Sequence, residues 1–140
     1  MFLIPLRSGG YGRGVVARMG PKGKVLLGYF FGPRLASADA ATLNGLDPGK
    51  AALRVRFGDL GLVNGQWQVC GSVSNWKRSD WPMPDFVRRS PGMRACLVRY
   101  SDDDPNRVEA EHPIDDDPEL PVDSLSGYGA VEIKLDKLLR

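Results

Sequence analysis

Three tryptophans and two runs of carboxylates are the residues of this 140-residue chain best suited to recognition chemistry. Trp67, Trp76 and Trp81 fall within fifteen residues of one another, and tryptophan is enriched among the side chains that dominate binding interfaces. Trp67 lies in the strand-like run Gln66–Val73, where a core position is expected. Trp76 and Trp81 lie in a Pro-rich loop, residues 75–84, flanked by Lys77, Arg78 and Asp80. They read as interface anchors, with a core position as the alternative for each. Asp102, Asp103 and Asp104 form one acidic run and read as charged contacts to a partner; Asp115, Asp116 and Asp117 form the second. A calcium loop needs acids at alternate positions, a mid-loop glycine and a distal glutamate, and neither run has that spacing. Aspartates capping the backbone of a tight turn are the expected state.

Other chemistry finds little material. His112 is the single histidine, between Glu111 and Pro113, so a His-based metal centre has too few ligands and a surface position is expected. Cys70 and Cys96 sit in apolar runs far apart and read as buried free thiols. No serine or cysteine has an obvious base beside it in sequence, so no catalytic residue, metal site or cofactor is expected. Arg88, Arg89, Arg94 and Arg99, with Arg54 and Arg56, make a basic set. The pI of 8.6 falls short of the value above about 9 that marks a nucleic-acid-binding domain, so internal ion pairing is expected.

Charge is divided along the chain. Residues Met1–Arg99 carry 15 basic against 5 acidic side chains, a balance of +10, and Tyr100–Arg140 carry 4 against 12, a balance of −8, leaving a net +2. Either the acidic end folds back onto a basic body, or it shows an acidic face to a partner. Both point to a binding protein before an enzyme.

The elements that must position these residues are short. With 17 glycines and 11 prolines, the chain favours strands and tight turns over long helices. A hairpin is expected from residues 14–18 and 24–31 around Met19-Gly-Pro-Lys-Gly. Strands are expected at residues 52–57, 66–73, 86–89, 94–100 and 107–112, a turn at 101–105, and solvated acidic loop at 115–123. A weak helix capped by Ser37 is expected to Leu43. Residues 130–139 place Val131, Leu135, Leu138 and Leu139 at helical spacing, with charged residues on the other faces. The opening Met1–Leu6 is too short for a signal sequence and reads as a first strand; no run could span a membrane, and a reducing cytosol is expected. The fold class is α+β: one domain over residues 1–140, a mostly antiparallel, strongly twisted or barrel-like sheet with one short helix and a C-terminal helix.

Several of these segments together resemble the immunity protein 26 family. They are Gly12-Arg-Gly-Val-Val-Ala-Arg, Leu27-Gly-Tyr-Phe-Phe-Gly-Pro, Phe57-Gly-Asp-Leu-Gly-Leu, Trp81-Pro-Met-Pro-Asp-Phe, Tyr100-Ser-Asp-Asp-Asp-Pro-Asn and Leu120-Pro-Val-Asp-Ser-Leu-Ser-Gly-Tyr-Gly-Ala-Val-Glu. The resemblance implies a cytosolic bacterial protein, encoded beside a polymorphic toxin, that neutralises the toxin domain by binding it without turnover. A small phosphotriesterase grouped with the same family supplies the enzyme alternative, and a nucleic-acid-binding module is a third. The resemblance carries no catalytic motif.

Overall fold

The computed structural model describes all residues from Met1 to Arg140. Its first sheet has five strands in the order β1 (Phe2–Pro5), β2 (Tyr11–Gly20), β3 (Gly23–Leu35), β4 (Leu53–Gly58) and β8 (Leu125–Ser126). A second sheet has the order β5 (Phe86–Arg88), β6 (Cys96–Ser101) and β7 (Asp104–Pro113). Every strand pair is antiparallel except β4 with β8. The fold is therefore α+β and mostly antiparallel, but the strands form two sheets rather than one closed barrel.

β3 explains the layering. Its segment Leu26–Phe31 is buried throughout, because alternate side chains enter two different cores. Leu26 and Phe30 join Phe2, Phe57 and Trp67 on one face, whereas Leu27, Tyr29 and Phe31 join Phe86, Val98 and Tyr100 on the other. The first face is closed by the C-terminal helix α2 (Tyr128–Leu138), the second by the three-stranded sheet. Gly28 of β3, which lies against the rings of Phe30 and Phe57, must lack a side chain: a Cβ there would lie 2.6 Å from both rings.

α2 docks through Val131 and Leu135, both fully buried, with Leu139 packed at the edge. The Leu135 side chain fits against Gly12, where a Cβ would come within 2.5 Å of it. Two expectations for this helix need correction. Leu138 is exposed, and the buried face instead includes Glu132 and Asp136, each one residue beyond an apolar contact. Their charges are answered from the sheet side. Glu132 accepts from the Trp67 indole Nε1 at 3.1 Å and pairs with Arg7 at 3.3 Å. Asp136 accepts from the Ser8 hydroxyl at 2.6 Å and pairs with Arg34 at 2.8 Å.

The acidic end does fold back onto the basic body. Of the twelve ion pairs, ten join a residue up to Arg99 with one beyond it. The central junction is Asp123, expected in a solvated loop but with a side chain only 5% exposed. Its carboxylate accepts from Arg56 of β4 at 3.2 Å, Arg88 of β5 at 3.0 Å and the Tyr100 hydroxyl of β6 at 2.6 Å. Arg56 also lies over the Tyr100 ring, 3.9 Å from its centroid. Burial, then the bond to Asp123, pushes the Tyr100 hydroxyl up to about 12. The backbone adds a second tie: residues 121–123 pair with Val87 of one sheet before β8 joins β4 of the other.

Other local expectations differ. Residues 37–43 hold only a single 3-10 turn, Ala38–Ala40, because none of its residues has a buried face to dock and Ser37 makes no capping bond. Residues 66–73 are not a regular strand, although Val69 bridges to Phe2. A four-residue helix, α1 (Leu60–Val63), follows β4. Cys70 is exposed and Cys96 half-buried, both as free thiols.

Candidate partner-binding surface

The outer edge of β1 sets up the surface. Residues 68–70 run along it: the Leu3 N–H donates to the Gln68 carbonyl at 2.9 Å and the Cys70 N–H to the Met1 carbonyl at 2.8 Å. Trp67, entering this segment, is anchored in the core, stacked 5.4 Å from Phe2. The chain then turns at Asn75, whose φ of +55° is left-handed, a conformation asparagine tolerates better than most residues. That turn brings Trp76 to the rim of an apolar groove of about 440 Å³, walled by Phe2, Val15, Val16, Leu62, Val69 and Val73. Trp76 is 40% exposed and Val69 is 68% exposed. At the groove, the Met1 ammonium donates to the Gly71 carbonyl, and burial holds its pKa below the usual amine value.

Trp76 also lines a second, polar depression with Met19, Arg18, Arg78, Asp102 and Asp103. The structure therefore brings Trp76, Asp102 and Asp103 to one place, although Trp76 and Asp102 are far apart in sequence. The three differ in freedom. Arg18 is buried, and its Nε donates to Asp102 at 2.9 Å, so Asp102 is the counter-ion of a buried guanidinium as well as a surface group. Arg78 reaches Asp102 at 3.1 Å and Asp103 at 3.0 Å. The Asp103 side chain is 84% exposed and keeps most of its lone-pair directions open.

Two expected site residues lie elsewhere. Trp81 is 3% exposed, edge-on to Tyr29 at 5.1 Å and to Phe31 at 5.9 Å. It is part of the core between the sheets, where no partner can reach it without unfolding. Asp104 lines a separate depression with Gly20, Lys22 and Lys24, and its carboxylate accepts from the Asn106 N–H at 2.9 Å, an Asx turn of the expected kind. In its place stand residues the sequence did not single out. Val69 and Met19 project apolar surface beside Trp76. Their signal was weak: Val69 reads as one of a strand's alternating residues, and Met19 as part of a hairpin turn.

Five of the six arginines of the basic set are internal ion-pair partners, Arg56 among them, and Arg54 is the exception. Arg88 meets Asp123 and Glu111, Arg89 meets Asp116, Arg94 meets Asp115 and Arg99 meets Asp85. Hydrogen bonding to these arginines holds Asp85 and Asp116 below the usual carboxylate range. No three His, Cys, Asp or Glu side chains converge as a metal site would require, and no helix is long and apolar enough to cross a membrane. His112 is exposed on β7.

The sequence matches the family model described as Immunity protein 26 over residues 1–92. That stretch contains the walls of the groove, Trp76 and Arg78; Asp102 and Asp103 lie beyond it. No curated protein and no solved structure matches the chain.

Proposed function

The chain belongs to the immunity protein 26 family, and on that premise we propose that it binds a bacterial toxin domain and neutralises it by occlusion, in the cytoplasm and without turnover. The observation that carries this reading is the joining of an apolar groove and a charged depression through one half-exposed tryptophan. An aromatic anchor at the centre, bordered by charges, is the arrangement of an interface hot spot. Desolvation of the Trp76 indole and of Val69 against the toxin slows release. The exposed carboxylate of Asp103 and its neighbour Asp102 steer a basic element of the toxin into register and raise the rate of encounter.

Trp76→Ala in the full chain tests this. Its affinity for the cognate toxin domain should fall by about 2 kcal/mol, roughly thirty-fold in Kd, while the melting temperature stays within a degree or so of wild type. Asp103→Lys should slow association more than it speeds dissociation, and the difference should shrink as salt rises. Full affinity in both variants would remove this surface from the mechanism.

A further inference from the structure

The largest depression lies at the opposite edge of the five-stranded sheet. β8 pairs with β4 only at Arg56 and Phe57. The chain just before it is drawn off to pair with Val87 of the other sheet. This divergence leaves the start of β4 and the two residues before it, Ala51 to Val55, facing residues 119–122 and Ser124 across a cleft of about 530 Å³. That volume is within the range of small-molecule sites. Leu53, Val55, Leu120 and Val122 supply apolar walls, and Lys134 of α2 reaches in from one side.

The charges in this cleft depart from the pattern of the rest of the molecule. Ten of the thirteen arginines form ion pairs. Of the other three, Arg13 is buried and donates to the carbonyls of Gly32, Thr42 and Asn44, and Arg107 donates to the Ser101 hydroxyl. The third is Arg54, which lines the cleft and whose side chain meets the Tyr29 hydroxyl on the neighbouring strand, an uncharged partner that leaves the guanidinium charge unpaired. Lys134 likewise has no carboxylate partner. Its Nζ donates to the Ser126 hydroxyl at 2.7 Å and the Ser124 hydroxyl at 3.2 Å. Those two bonds fix the ammonium in place without neutralising it, and its third N–H remains available. Glu119, the one acid lining the cleft, pairs with neither cation.

We propose that this cleft binds a small amphiphilic anion, a carboxylate or phosphate monoester on an apolar body. Lys134 supplies a fixed point charge and Arg54 a planar fork of donors for the oxygens. The apolar walls receive the body of the ligand. Only part of the cleft is charged, so a bare ion gains less from it than an ion carrying an apolar group.

The test is titration of the isotopically labelled full chain with phenyl phosphate, phenylacetate, inorganic phosphate and neutral benzyl alcohol, followed by NMR. The two phenyl-bearing anions should produce saturable shifts confined to residues 51–55, 119–124 and Lys134, with a Kd of about 1 mM or tighter. Inorganic phosphate should bind more weakly and benzyl alcohol should not saturate; the stronger of the two anions identifies the preferred head group. R54Q and K134Q, checked as folded by their own spectra, should each weaken binding at least about tenfold. Absence of saturable shifts, equal binding of benzyl alcohol, or undiminished binding in both variants overturns the assignment. W76A should bind the anion as wild type does, which separates this site from the proposed toxin surface.

Discussion

Asp123→Asn is the substitution that bears hardest on how the two sheets are held together. The change keeps the shape of the side chain and removes its charge. Arg56, 9% exposed at the side chain, would then be a buried guanidinium without a counter-ion. Its NH1 would still donate to the Pro105 carbonyl at 3.2 Å, and its Nε already has no partner. Breaking a buried pair by removing one member costs about 3–5 kcal/mol. The Arg88 pair, half-exposed on the arginine side, adds up to about 1 kcal/mol. A loss near 4 kcal/mol corresponds to a fall in melting temperature of roughly 10–15 °C for a chain of this size. Removing the stranded charge as well separates electrostatics from shape. Arg56→Met combined with Asp123→Asn should recover most of the loss, because a buried pair replaced by apolar groups is close to neutral. Urea unfolding of the wild type, both single variants and the double variant completes the cycle. A cost below about 1 kcal/mol for Asp123→Asn, or a double variant no more stable than the single, would refute the junction as a buried ion-pair network.

Leu135→Ala should cost about 2–5 kcal/mol because the side chain is fully buried against Gly12, whereas Leu138→Ala, at an exposed position, should be close to neutral; equal effects in urea unfolding would contradict the docking of α2. Asp136 is held down to about 2, first by the Ser8 hydroxyl and then by Arg34, against about 3.9 in an unfolded chain. A depressed carboxyl contributes stability that is present above the unfolded value and lost as pH falls through the folded one. Urea midpoints should therefore drop between about pH 4 and pH 2 in the wild type, and drop less across that window in Asp136→Asn. Since most ion pairs joining the basic body to the acidic end are exposed on at least one side, the denaturant midpoint should fall as salt rises to about 0.5 M; a midpoint that does not move would argue that these pairs contribute nothing.

Much of the frame was legible because it rests on local pattern. The hairpin of β2 and β3 follows from its glycine and proline turn, α2 from the spacing of Val131 and Leu135, and the core position of Trp67 from its apolar run. The division of charge offered the fold-back as one of two readings, and the ion pairs decide for it. The unbroken apolar run of β3 also carried a message about layers, since a strand buried on both faces needs a cover on each. What failed depends on partners distant in sequence. Nothing around Trp81 reveals that Tyr29 and Phe31 will enclose it. The role of Asp102 as counter-ion to Arg18, and of Asp123 to Arg56, exists only once the strands are assembled. Leu138 has the right spacing for the apolar stripe, but the docked face turns toward Glu132 and Asp136, whose charges the sheet can satisfy. Of the five residues expected to contact a partner, Trp76, Asp102 and Asp103 line one depression. Trp81 is in the core and Asp104 lines a separate depression.

The proposed surface is tested most directly by hydrogen–deuterium exchange on the chain alone and bound to its cognate toxin domain, with Trp81→Ala as a folding control. Binding should protect the amides of residues 68–78 and 102–103 and leave those at the β4–β8 edge unchanged. Trp81→Ala should raise exchange throughout the core between the sheets, because it opens a cavity costing about 3–5 kcal/mol, without that change being mimicked by toxin. Protection confined to other elements, with residues 68–78 exchanging as freely in the complex as alone, would contradict the account.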